Sequence, residues 1–179
     1  NITSFNPYSA DADPAAALAA EKAAQQVMVT IKAVSAAAEG AGMEVEDAFE
    51  QAMASVAEVV SAEAEKIDVS STAAIAAAEA TMATTKVDFA DSSVLEAVST
   101  AVQTKVVAAA AADETIVVDT TAFAAVLDTA VTAVSNVNAA IEAITDTNLA
   151  SSESMGTFAT LSDVATELKE AAEAEVVTP

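Results

Sequence analysis

No cysteine, histidine or tryptophan occurs in this 179-residue chain, and its six basic residues are all lysine. Each absence removes a class of chemistry. Without cysteine there is no disulfide, no thiolate metal site and no thiol nucleophile, and the redox compartment cannot be read. Without histidine the most frequent general base is missing. So are the Glu-x-x-His pairs of di-metal carboxylate bundles and an axial histidine for haem. Acid–base work would fall to carboxylates or lysine, and the carboxylates fall on the polar faces of helical stretches. Pairs such as Ser35 near Lys32 arise by chance in a serine-rich chain. The expectation is a chain that is not an enzyme and has no cofactor, calcium aside.

Positive charge is scarce. Against the six lysines stand 28 acidic residues, a net charge of −22. A nucleic-acid partner needs a basic surface to neutralise phosphates, and an anionic membrane would repel this chain. Such a charge keeps a protein soluble but opposes compaction at low salt. At the ionic strength of sea water the screening length falls to about 4 Å, which removes most of that cost. The balance therefore points to an extracellular or cell-surface setting, saline and containing divalent cations.

Aromatics are few, at 3% of residues, and there are only three glycines and three prolines. Hydrophobic residues reach 54%, but most are alanine and valine. Alanine is the best helix former, and its methyl contributes little burial. The composition predicts an all-α domain whose helices approach closely through small side chains. The longest apolar run, Val106 to Ala112, is mostly alanine, so no membrane insertion is expected. No signal peptide is evident, and Asn1 and Pro179 read as cuts within a longer polypeptide.

Periodicity predicts an antiparallel bundle of about six helices over 14–175. An extended N-terminal segment (1–13) precedes it, and the start of a linker (176–179) follows. No internal repeat has a fixed period. In the N-terminal segment Asn6-Pro7 favours a turn, and Phe5 and Tyr8 should dock on the helices. Asp13-Pro14 reads as a helix start. Helix one, 14–39, carries Leu18, Val27, Ile31, Val34 and Ala38 inward, and Gly40-Ala41-Gly42 ends it. Helix two, 44–66, carries Val45, Phe49, Met53, Val56, Val60 and Ile67 at helical spacing, which predicts a buried face. A weaker helix over 70–85 would turn Ile75 and Met82 inward. Helix four, 92–112, has Ser93 and Glu96 at capping-box spacing and a Val94, Val98, Val102, Val106 stripe. Residues 113–119 read as an extended linker that packs its valines. Helix five, 120–145, turns Phe123, Leu127, Val131, Val134, Val137, Ile141 and Ile144 inward. Helix six, 161–175, turns Leu161, Val164, Leu168 and Ala172 inward, after a loop at 146–159. Phe49 and Phe123, each mid-stripe, are both expected to be buried. The five methionines, Met28, Met43, Met53, Met82 and Met155, read as core filling.

Calcium needs only oxygen ligands, so acids in the breaks between helices are its candidates. Those singled out are Asp11 and Asp13 before helix one, and Asp88 and Asp91 before helix four. Asn6, Asp113, Asp119, Asp146 and Asn148 form a wider set, and none completes an EF-hand pattern. Asp13, Asp91 and Asp119 also stand where a helix N-cap is required.

The segment Ile2 to Val27, ITSFNPYSADADPAAALAAEKAAQQV, resembles a stretch in very large secreted surface proteins of marine bacteria, the calcium-associated, type-I-secreted adhesin type. There an extended Phe-Asp-Pro-Tyr turn leads into an alanine-rich helix ending in Gln-Val. Here the turn is Phe5-Asn6-Pro7-Tyr8. The closing Val177-Thr178-Pro179 is similar to the last strand of the small β-domain found beside such stretches. The resemblance implies a helical module in a long modular protein, with neighbouring modules or copies of itself as partners. A structural or adhesion role is the leading expectation. A subunit of a self-assembling surface layer or filament and a helical small-ligand carrier are the alternatives.

Overall fold

A computed structural model describes residues 14–65, 87–113 and 116–145, together with the helical residue 170. Of these described residues 84% are helical and none is in a strand. Four helices stand out: α1 (Pro14–Gly40), α2 (Val45–Glu65), α3 (Ser92–Ala112) and α4 (Thr120–Glu142). Their bounds follow the sequence punctuation closely. The helix expected over 70–85 lies outside the described residues, as do the N-terminal segment, residues 176–179 and, apart from the helical Glu170, the helix expected over 161–175.

The helices close a ring in which α1 packs on α2, α2 on α3, α3 on α4 and α4 on α1. Across the ring α1 and α3 touch only sparsely. The short link at 41–44 turns α2 back along α1. Lys22 Nζ donates to the Glu142 carbonyl at 2.6 Å and Gln26 Nε2 to the Asn138 carbonyl at 3.2 Å, so α4 runs opposite to α1. Lys105 pairs with Glu58 at 2.8 Å, between α3 and α2. The start of α1, the end of α2, the turn before α3 and the end of α4 therefore share one end of the bundle.

The link between α1 and α2 is a helix stop built on one glycine. Gly42 has φ +107°, a conformation that a Cβ disfavours. Its N–H reaches the Glu39 carbonyl and the Met43 N–H reaches that of Ala38, both at 3.0 Å. This is the Schellman arrangement, with Met43 and Ala38 both buried beside it. A Cβ at Gly42 would come within 2.6 Å of the Val117 carbonyl oxygen, so the α3–α4 linker passes directly over this turn.

The core is thin, as the composition predicts. Its largest fully buried side chains include Phe123, Leu127 and Ile141, with Val98, Val102, Val106 and Val134 around them. Ala33, Ala37, Ala38, Ala48 and Ala52 fill the rest. In α1 the expected Ile31, Val34 and Ala38 are buried, and Val27 packs partly against the core. In α4 Phe123, Leu127, Val134 and Ile141 are buried as expected, and Val126 and Ala130 join them.

In α2 the expected inward face is wrong. Phe49, expected to be buried, is 41% exposed; Val45, Met53 and Val60 also face outward, and of that stripe's described members only Val56 is buried. The buried stripe is Ala48, Ala52, Ser55, Val56 and Val59. Two helical stripes run side by side on α2, one of large apolar residues and one of small ones. The small one faces inward because the neighbouring alanine-rich helix allows close approach only through small side chains. Three further readings need correction. The N-cap of α3 is Asp91, where the sequence also required one, so the Ser93–Glu96 spacing does not mark the cap. In the linker Val118 packs against the core while Val117 is 78% exposed. Of the methionines expected in the core, Met43 is buried but Met28 and Met53 are exposed.

By length and composition alone α3 and α4 could each cross a membrane, contrary to the expectation that no stretch approaches that limit. Alanine and valine make them so. Each nevertheless turns one face into the bundle, with Val98, Val102 and Val106 on α3 and Leu127 and Val134 on α4.

Candidate functional site

Charge has been kept out of the interior: among the described residues every buried polar side chain is neutral. Those are Gln26, Thr30, Ser35, Ser55 and Asn138. Thr30 and Ser55 return their hydroxyls to the carbonyl four residues back, Gln26 and Gln51, as buried helical hydroxyls do.

Gln26 and Asn138 build a buried polar layer that spans elements. Asn138 Nδ2 donates to the Phe89 carbonyl at 2.7 Å and to Thr30 Oγ1 at 3.4 Å. Gln26 Nε2 reaches the Asn138 carbonyl and, at 3.4 Å, Glu142 Oε2. Ser135 Oγ adds a bond to the Ala90 carbonyl. The turn before α3 is thereby fastened to α4 through its own backbone, with Phe89 buried beneath it. Gln26 Oε1 and Asn138 Oδ1 are left buried without a hydrogen-bond partner. Each orphan acceptor costs about 1–3 kcal/mol, so the layer fixes register at some expense of stability. The sequence reading missed it, because a glutamine in α1 and an asparagine in α4 look like ordinary surface residues until the helices are paired.

Two calcium candidates lie in this fastened turn. Asp88 accepts the Ala90 N–H at 2.9 Å, and its carbonyl accepts the Asp91 N–H. Asp91 is the N-cap of α3, and its Oδ1 accepts both the Ser93 N–H and the Ser93 hydroxyl at 2.8 Å. The Ser93 backbone bond, followed by the Ser93 hydroxyl, holds the Asp91 carboxyl below its usual value, while burial acts weakly the other way. Asp119 caps α4 in the same manner, accepting from Thr121 and Ala122. Both carboxylates thus serve their own helices. Asp11 and Asp13 lie outside the described residues, and among the described residues no three acidic side chains converge where a metal ion could sit.

Between α2 and α3 runs an open cleft of about 500 Å³. Its walls are Val59, Ala62, Ala97, Thr100, Ala101 and Thr104, and the Glu58–Lys105 pair lies at its edge. It has space for a small molecule, but it offers only methyl groups, two hydroxyls and one exposed ion pair.

No protein-family model, no curated protein and no solved structure matches this chain.

Proposed function

We propose that this chain is a non-catalytic structural or adhesion module of a large exported bacterial surface protein. One observation carries the reading: among the described residues the interior is mainly alanine and valine without a buried charge, under helices that keep their acids outside, as Glu44, Glu46, Glu50, Glu96 and Asp128 do. A surface of this kind excludes phosphate polymers and anionic lipid by repulsion and is comfortable in salt. Its work is then done by shape, as a spacer or a docking block between neighbouring modules. Calcium is proposed at Asp88 and Asp91 in the turn before α3, and at Asp11 and Asp13, which lie outside the described residues.

Solution mass tests this against self-assembly. A module of this type sediments as a single species of 17.8 kDa over the micromolar range. Concentration-dependent growth into ordered polymers would replace it with the surface-layer or filament reading. The cleft between α2 and α3 favours the carrier reading only weakly, because its lining lacks convergent polar groups that would orient a ligand.

A further inference from the structure

The absences in the sequence leave methionine as the side chain most open to oxidation. There is no cysteine, tryptophan or histidine, and only one tyrosine. A thioether is then the readiest acceptor of oxygen from a peroxide. The structure sorts the three described methionines sharply. Met28 and Met53 are 43% and 47% exposed, whereas Met43 is 4% exposed. At about 100° per residue, Met28 stands about 160° around α1 from Gln26, which contacts α4. Met53 stands about 140° around α2 from Glu58, which pairs with α3. Both side chains therefore point away from the helices that these contacts mark. Met53 shares its flank with Val45, Phe49 and Val60, the exposed apolar stripe of α2. Met43 instead closes the turn between α1 and α2, where its N–H bonds the Ala38 carbonyl at 3.0 Å.

We infer that Met28 and Met53 are surface oxidation sites for small neutral hydroperoxides, and that their oxidation turns exposed apolar surface polar while the fold stays intact. The thioether sulfur attacks a peroxide oxygen, the O–O bond breaks, and the proton goes to the departing oxygen. The products are a sulfoxide and water, or an alcohol where the reagent is an alkyl hydroperoxide. Sulfur loses two electrons and the peroxide gains them. At Met28 and Met53 solvent can donate to the new sulfoxide oxygen. At Met43 that oxygen would become a buried acceptor inside the apolar core cluster, which disfavours it. Charge selects the reagent. Hydrogen peroxide is uncharged, so a chain at −22 does not repel it as it repels an anionic oxidant. Within four residues along their helices Met28 has Lys32 and Met53 has Glu50, so the net charge, rather than a local cluster, sets this preference. A sulfoxide at Met53 places a polar group in the middle of the α2 stripe, between Phe49 and Val60. Being exposed, both sulfoxides are open to thiol-dependent reductases. Two thiols then become a disulfide, the thioether returns and the oxygen leaves as water.

Hydrogen peroxide added to the intact chain at neutral pH tests this, with peptide mapping by mass spectrometry. Met28 and Met53 should gain oxygen at rates within about threefold of their rates in denaturant, and Met43 at least about tenfold more slowly than either. The helical circular-dichroism signal should persist once both are oxidised. Retention on a hydrophobic-interaction column should fall, and the double variant Met28→Leu/Met53→Leu should keep its retention under the same treatment. That comparison removes the contribution of Met82 and Met155, which lie outside the described residues. The inference is overturned if Met43 reacts as fast as Met28 and Met53, or if those two are shielded to its level. It is equally overturned by a loss of helix that the double variant escapes, by retention that oxidation leaves unchanged, or by a fall in retention that is as large in the double variant.

Discussion

Phe123→Ala probes the core where it has least slack. Phe123 has no exposed surface and is the largest of the fully buried side chains. The core cluster to which it belongs is mainly valine and alanine, short side chains with little freedom to swing into the space a lost ring would leave. The cost should therefore be about 3–5 kcal/mol, the range for a large buried aromatic truncated to alanine. Against a total of about 5–15 kcal/mol for a domain, this is a large fraction. For a chain of this length it corresponds to a fall in Tm of about 6–20 °C. Urea unfolding followed by far-UV circular dichroism measures it, with the midpoint moving and the slope unchanged. Phe49→Ala is the internal control: its ring is only partly covered by the bundle and should cost less than half as much. A loss below about 1 kcal/mol for Phe123→Ala at constant slope would refute the assignment of α4's inward face.

Other substitutions test the joints. Gly42→Ala forces a side chain into a positive φ and against the Val117 carbonyl; it should cost about 1–3 kcal/mol by chemical denaturation, and a neutral result would contradict the close approach of the linker. Asn138→Ala removes the donor to Phe89 and Thr30 and should cost about 2–3 kcal/mol, whereas Gln26→Met loses the bonds to Asn138 and Glu142 but also removes an orphan acceptor, and should cost less. Asp91 has its folded pKa lowered, so its contribution is present above the unfolded carboxylate value and is lost as pH falls through the folded one. The stability gap between the native protein and Asp91→Ala should accordingly narrow in acid; a gap constant to pH 2 would remove the role of the ionised cap.

The fold was legible in the sequence to the extent that it depends on local punctuation. Pro14 at a helix start, Gly42 at a helix stop and Asp91 and Asp119 at caps act within a turn of the chain, so their spacing alone places α1 to α4 within a few residues. Which side of α2 faces inward depends on what α1 offers it. Phe49 and Met53 look like core in isolation; Ala48 and Ala52 take that place because two alanine-rich helices can come close together. The polar layer was illegible for the same reason. Gln26 and Asn138 are far apart in sequence and acquire meaning only when α1 and α4 run side by side. No spacing rule joins them, and the turn at Phe89 enters only through a backbone carbonyl.

An acidic shell held over a small-residue core is what supports the proposed saline, external setting. Thermal melting of the intact chain against sodium chloride tests that directly. Compaction brings like charges together, so screening should raise Tm smoothly from low salt to sea-water strength, without saturation at millimolar concentrations. A specific calcium site would appear on top of this as a saturable rise beyond that given by magnesium at equal ionic strength. A Tm indifferent to sodium chloride over that range would contradict the account, because the −22 charge would then impose no cost on the folded state for salt to relieve.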